Sequence, residues 1–199
     1  YSGNVVRGTI TPVTFGGSKS VTIAIGQEVW SDGIRLSWVK DSDDPAVQGR
    51  NLAVSYSVQG TSGPMTYHSG ANQTSFITAS GSGDHTRDAD VFAYQYTTTS
   101  WFFVNAVDVM AATNTVVVCT FGDSITDGTA STINGNDRWM NDLSRRLHDA
   151  YGNRVSVVNQ GIGGNTVHRP PETTVSEPAV LRLYRAVRGL SGLPTVVCL

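Results

Sequence analysis

Lysine is nearly missing from this 199-residue chain. Lys19 and Lys40 stand against twelve arginines, and the formal net charge is −2. Without a basic block there is no electrostatic footprint for nucleic acid, which excludes that class of partner. Long apolar runs are lacking as well. None approaches the roughly 20 residues that cross a bilayer, so no membrane-spanning helix is expected. Only two cysteines occur, Cys119 in "VVVCTF" and Cys198 in "TVVCL". Both sit in strand-like apolar runs and read as free core thiols rather than a disulfide. Histidine is confined to four positions, and no His or Cys cluster has ligand spacing, so no metal is expected. Scarce lysine beside abundant Ser, Thr and Gly fits a secreted protein. The chain starts at Tyr-Ser-Gly with no signal peptide, as a processed form would.

The length suffices for a real core in one large or two small domains, and the chain changes character near residue 112. Residues 1–112 read as an all-β domain. "SVTIAI" alternates Val21, Ile23 and Ile25 with Thr22 and Ala24, and "NLAVSYSV" puts Leu52, Val54, Tyr56 and Val58 on one face. "TSWFFVNAVDV" is strand-rich too, and "FGGSKS", "KDSDDP" and "QGTSGP" punctuate these runs as turns. Period-2 runs separated by such turns predict a β-sandwich or jelly roll.

Residues 113–199 follow another rhythm. "TVVVCTF" is continuously apolar, as a parallel strand covered on both faces would be. "DRWMNDLSRRLHDAY" places Trp139, Leu143 and Leu147 at helical spacing, with Asp137 as its cap. "RVSVVNQ" predicts a second strand, "EPAVLRLYRAVRGL" a second helix between Pro178 and Gly189, and "PTVVCL" a third strand. This βαβαβ order predicts a parallel sheet with right-handed crossovers and strand order 2-1-3, its function at the carboxyl ends of the strands.

Two stretches sit at those ends. "GDSITDG" follows the first strand and allows two readings. Ser124 and Asp127 form an S-x-x-D capping box, or Ser124 is the nucleophile of an acyl transfer, exposed at a strand-to-helix turn. Thr126 stands where the G-x-S-x-G elbow needs its second glycine, so that elbow is excluded. The second stretch, "NQGIGGNT", fits G-x-G-x-x-G poorly and lacks the P-loop lysine, so no nucleotide cofactor is expected. A glycine amide brought close to Ser124 would instead serve as an oxyanion donor.

"FGDSITDG" followed some 30 residues later by "VVNQGIGGNT" resembles blocks I and II of the SGNH, or GDSL-type, esterases and lipases, with Ile125 in place of the usual leucine. The resemblance covers about residues 115–199. It implies a three-layer, flavodoxin-like α/β domain and an acyl-enzyme mechanism. Ser124 would be the nucleophile, Asp123 a support for the turn, and the backbone amides of Ser124 and Gly164 the oxyanion donors. The family's third donor is an asparagine in a G-x-N-D segment after the third strand, and its base lies in a D-x-x-H segment. Neither segment occurs in these 199 residues. The chain is therefore expected to be partial and its sheet incomplete, with a complementary chain or a second copy covering "PTVVCL". "QTSF" and "TTTSWFF" resemble the N-terminal β domain of secreted or surface members. The substrate implied is a small-molecule or carbohydrate-linked ester.

The remaining residues read plainly. His68 and His85 are surface residues in loops, His148 lies at a helix edge, and His168 falls near the second glycine stretch. Arg182, Arg185 and Arg188 form a solvated helix stripe. The alternative to an ester hydrolase is a carbohydrate-holding β-sandwich joined to a degenerate esterase core, with Trp30, Trp38 and Trp101 stacking on sugar rings.

Overall fold

The computed structural model describes residues 3–40, 49–168, 176–192 and 194–199. Its regular core is a parallel sheet of β5 (Val116–Gly122), β6 (Val155–Gly161) and β7 (Pro194–Cys198), in the order β6-β5-β7. The apolar run of β5 takes the centre, where both edges are paired, and its Cys119, Thr120 and Phe121 are buried. Register sets Gly122 opposite Gly161 and Phe121 opposite both Gln160 and Cys198.

Helices α1 (Ser124–Asp127), α2 (Trp139–Tyr151) and α3 (Ala179–Arg188) connect the strands. Both longer helices stop at glycine, as the sequence predicts for Gly189: Gly152 N–H returns to His148 O, and Gly189 N–H to Arg185 O. At the start of α2, however, Asp137 is not the cap. Its carboxylate accepts from Thr132 N–H, closing the preceding turn, and hydrogen bonding to Thr132, the side chain foremost and the backbone after it, lowers its pKa. Arg138 takes the cap position instead, its N–H donating to Asn141 Oδ1 at 3.1 Å.

The first half departs from expectation. Its strands are short: β1 (Tyr67–His68) pairs antiparallel with β4 (Trp101–Phe102), and β2 (Ser75–Ile77) with β3 (Tyr96–Thr98). Among the described residues no β-sandwich forms. The alternating runs form no strand among the described residues, and Val21, Ile23, Ile25, Leu52, Val54, Tyr56 and Val58 are exposed. Alternation marks a face able to pack but supplies no second sheet to pack against. "TSWFFV" yields only β4; Phe103 turns to φ 63°, in the left-handed region, while its N–H still donates to Thr66 O at 3.4 Å. "FGGSKS" is a turn, held by Asp32, which accepts from Thr14 Oγ1, Gly16 N–H and Gly17 N–H and is thereby lowered in pKa. "KDSDDP" lies outside the described residues, apart from Lys40.

Two compact units result: residues 1–60 with 78–96, and residues 61–77 with 97–199. Segment 61–77 thus packs with the parallel sheet although it lies in the β-rich stretch of sequence.

Both cysteines are free, Cys119 buried and Cys198 exposed. Burial, with a smaller contribution from Cys198 and opposed by Arg182, pushes the Cys119 thiol up to about 11. At pH 8 without denaturant, iodoacetamide is therefore expected to modify Cys198 and spare Cys119, read by intact mass before and after unfolding. An unfolded thiol ionises near about 8.5. The folded thiol keeps its proton longer, so this group's contribution to stability is complete below that pH. It is lost as the pH rises toward about 11.

Candidate active site

The site is built from the glycine floor upward. Gly122 and Gly161 face each other at the carboxyl ends of β5 and β6, and α1 lies directly on them. A Cβ at Gly161 would collide with the backbone of Thr126 and Asp127, and one at Gly122 with the Thr126 side chain and Leu199 O. Only glycine at both positions lets α1 sit this close to the strand ends.

Asp123 is the N-cap of α1, its Oδ1 accepting from Ile125 N–H at 2.9 Å. This corrects the capping-box reading: the cap comes one residue before Ser124, and the Asp127 carboxylate is used elsewhere. Ser124 is the first helical residue and is partly exposed. Its Oγ makes no hydrogen bond to any described residue. Gly128 ends the helix at φ 106°, and its N–H donates to Ser124 O at 3.0 Å.

The second motif forms a turn beside it. Asn165 N–H donates to Ile162 O at 3.0 Å, closing a four-residue turn in which Gly164 holds φ 75°. The third position of such a turn demands glycine. Nothing lies within 4 Å of where a Gly164 Cβ would be, so the turn is open on that side. Ile162 N–H donates to Gly122 O at 3.1 Å, and Gly163 N–H to Asp127 Oδ2 at 2.8 Å. The two motif stretches, some 30 residues apart in sequence, are therefore joined directly.

Arg182 locks this arrangement from α3 and is only 2% exposed. Its Nη2 donates to Gly122 O, Nη1 to Gln160 O and Nε to Asn165 Oδ1, all within 2.9 Å, and the guanidinium lies 3.9 Å from the Phe121 ring centre. The solvated stripe expected of the arginines is thus wrong for Arg182. Arg185 is exposed and pairs with Glu177, and the Arg188 side chain lies outside those described. Helical spacing could not separate the two, because the Arg182 partners lie outside its own helix, in the two motif stretches.

His68 is the larger surprise. It is no loop residue but lies on β1 opposite Trp101, 31% exposed, with Nε2 2.7 Å from Asp127 Oδ1. Around it, "HSGANQTSF" docks onto "GTASTINGNDRW". Asn72 Nδ2 donates to Gly128 O, Gln73 Nε2 to Asn136 Oδ1, Thr74 N–H to Asn134 Oδ1, and Arg138 Nη2 to Ala71 O. Asn72, Asn134 and Asn136 all adopt positive φ, a geometry asparagine tolerates well. Two Asn- and Thr-rich stretches some 60 residues apart were the available signal, and sequence reading took neither as an interface.

The other histidines lie apart from this cluster. His85 bonds Asp88 and Ser82 O, and the Asp88 hydrogen bond raises its pKa. His148 is exposed in the last turn of α2, and His168 is exposed with its carbonyl accepting from Thr166 Oγ1. Two open hollows, of about 380 and 320 Å³, are lined elsewhere and do not include Ser124. Among the described residues no three His, Cys, Asp or Glu side chains gather as metal ligands, and no helix is long and apolar enough to cross a membrane. Compared with known proteins, the chain matches no protein-family model and no curated protein.

Proposed function

We propose that this chain carries the nucleophile and oxyanion-hole region of an SGNH-type serine ester hydrolase. One geometry supports the reading above all. The helix that begins at Ser124 and the turn that contains Gly164 meet at the carboxyl ends of adjacent parallel strands, tied by the 2.8 Å bond from Gly163 N–H to Asp127. Ligand chemistry in open parallel sheets gathers at such strand ends.

In the proposed reaction Ser124 Oγ attacks the ester carbonyl and gives up its proton to a base. The carbonyl oxygen becomes an oxyanion that accepts from the Ser124 and Gly164 amides. Collapse expels the alcohol with a proton and leaves an acyl-serine, which water hydrolyses to the acid and free serine. The resemblance assigns the base to an Asp-x-x-His segment that these residues do not contain, and the same resemblance carries the proposals of secretion and of a small-molecule or carbohydrate-linked ester.

A fluorophosphonate probe tests the reading. The expected result is a single adduct on the peptide that contains Ser124. An adduct on another serine, or absence of any adduct once the Asp-x-x-His segment is supplied, would remove the nucleophile assignment. The carbohydrate-binding alternative keeps one support, the half-exposed rings of Trp30 and Trp101. A binding module of that kind takes no label.

A further inference from the structure

We infer that His68 is a positioning residue of this site: acting through the Asp127 carboxylate, it sets the Gly163–Gly164 turn against the helix that carries Ser124. The inference rests on the ester-hydrolase reading for its catalytic meaning, while the tie itself is visible in the geometry.

Helix α1 has four residues, too few to hold its own shape in water, so its position depends on ties to its surroundings. Asn159 Nδ2 fastens it to β6 through Thr126 O at 2.9 Å, and Arg138 Nε grips Asp127 O at 2.8 Å. Those ties hold the helix backbone. The one from an α1 side chain to the turn is Asp127 Oδ2, which accepts from Gly163 N–H.

A carboxylate fixed at one oxygen still swings about its χ angles, whereas one fixed at both oxygens does not. His68 supplies the second anchor, Nε2 to Oδ1 at 2.7 Å. An ionised carboxylate can only accept, so in this contact the Nε2 of His68 carries the proton and donates. The carboxylate is only 13% exposed, so water offers little substitute for a lost donor. His68 is itself held by the β1–β4 pairing and by the polar dock that follows it, from Ala71 to Thr74. The chain of contacts thus runs from segment 61–77 through one imidazole and one carboxylate to the amide next to Gly164. Gly164 has no side chain with which to anchor itself, so displacing its neighbour displaces it.

Three variants of the 199-residue chain decide the matter: His68→Ala, which removes the donor; His68→Gln, which keeps an N–H donor of similar reach; and Asp127→Asn, which keeps the shape but presents one donor where two acceptors are needed. Two readouts are taken, amide hydrogen exchange at Gly163 by NMR and the rate of fluorophosphonate labelling at Ser124. His68→Ala and Asp127→Asn are expected to speed Gly163 exchange about tenfold or more and to slow labelling by about 10- to 100-fold, the scale of a small misplacement at a reacting centre. His68→Gln is expected to restore both to within about threefold, since a donor is all the role requires. Should His68→Ala fail to fold, the Asp127→Asn and His68→Gln pair carries the same comparison. Unchanged Gly163 exchange in Asp127→Asn would overturn the inference. So would a His68→Gln variant that protects Gly163 yet labels as slowly as the alanine variant, because His68 would then be acting as a base. If the unmodified chain takes no label, and a chain extended through the Asp-x-x-His segment takes none either, the ester-hydrolase reading falls, while the exchange rates still judge the tie.

Discussion

Replacing Arg182 by methionine is expected to lower the melting temperature of the sheet-bearing unit by roughly 10 °C, about 3 kcal/mol. Methionine matches the length of the stem, so the loss comes from the guanidinium. Three acceptors lose their donor: Gly122 O at the end of β5, Gln160 O in β6, and Asn165 Oδ1 in the turn after it. Each buried acceptor left without a donor costs about 1–3 kcal/mol, and the three are not additive because Gly122 O retains the Ile162 N–H. Burial lowers the pKa of the Arg182 guanidinium, yet arginine stays charged at any ordinary pH, and among the described residues no carboxylate hydrogen-bonds it; its charge is met by carbonyl dipoles and the Phe121 ring face. Arg182→Lys is expected to recover only a minor part, because a single ammonium cannot address three acceptors in fork geometry. Thermal unfolding followed by circular dichroism measures both variants. A methionine variant that melts within 1 °C of the parent would show that the clamp contributes nothing.

Arg182 also shows where sequence stops being informative. The second half could be read because its signals are local. Continuous apolar character gave β5, Pro178 and Gly189 bounded α3, and the rule of right-handed crossovers led to the order β6-β5-β7. Gly122, Gly161 and Gly164 stood out by spacing, and each has its own reason in the structure: two for the close approach of α1 and one for a positive φ. Buried polar ties have no such local signature. Arg182 shares its spacing with Arg185, which is exposed, and His68 reads like any loop histidine until β1 pairs with β4. In the first half the failure ran the other way. Val21, Ile23 and Ile25 alternate like a strand but form none among the described residues and stay exposed: the pattern permits burial without producing it.

The question raised by Asp-Ser at the end of a buried strand comes down to two neighbouring substitutions whose effects should separate. Asp123→Ala removes the acceptor for Ile125 N–H and is expected to cost about 1 kcal/mol of stability, the usual loss for a cap. Ser124→Ala is expected to leave stability unchanged, because Ser124 Oγ hydrogen-bonds none of the described residues. Its effect belongs to the chemistry. A chain extended through Gly-x-Asn-Asp and Asp-x-x-His segments, which the resemblance calls for, is expected to hydrolyse p-nitrophenyl acetate several orders of magnitude faster than the 199-residue chain. Removing a working nucleophile typically costs about 10⁴- to 10⁶-fold in kcat. Ser124→Ala should therefore abolish that gain and fall back to the level of the short chain. The short chain itself is expected to be feeble, since an oxyanion hole with binding alone retains only about 10³-fold over water. The decisive comparison assays both lengths with and without each substitution, alongside their melting temperatures. If Ser124→Ala leaves the rate of the extended chain intact while Asp123→Ala still destabilises it, the stretch does no more than cap a four-residue helix, and the nucleophile must be sought elsewhere.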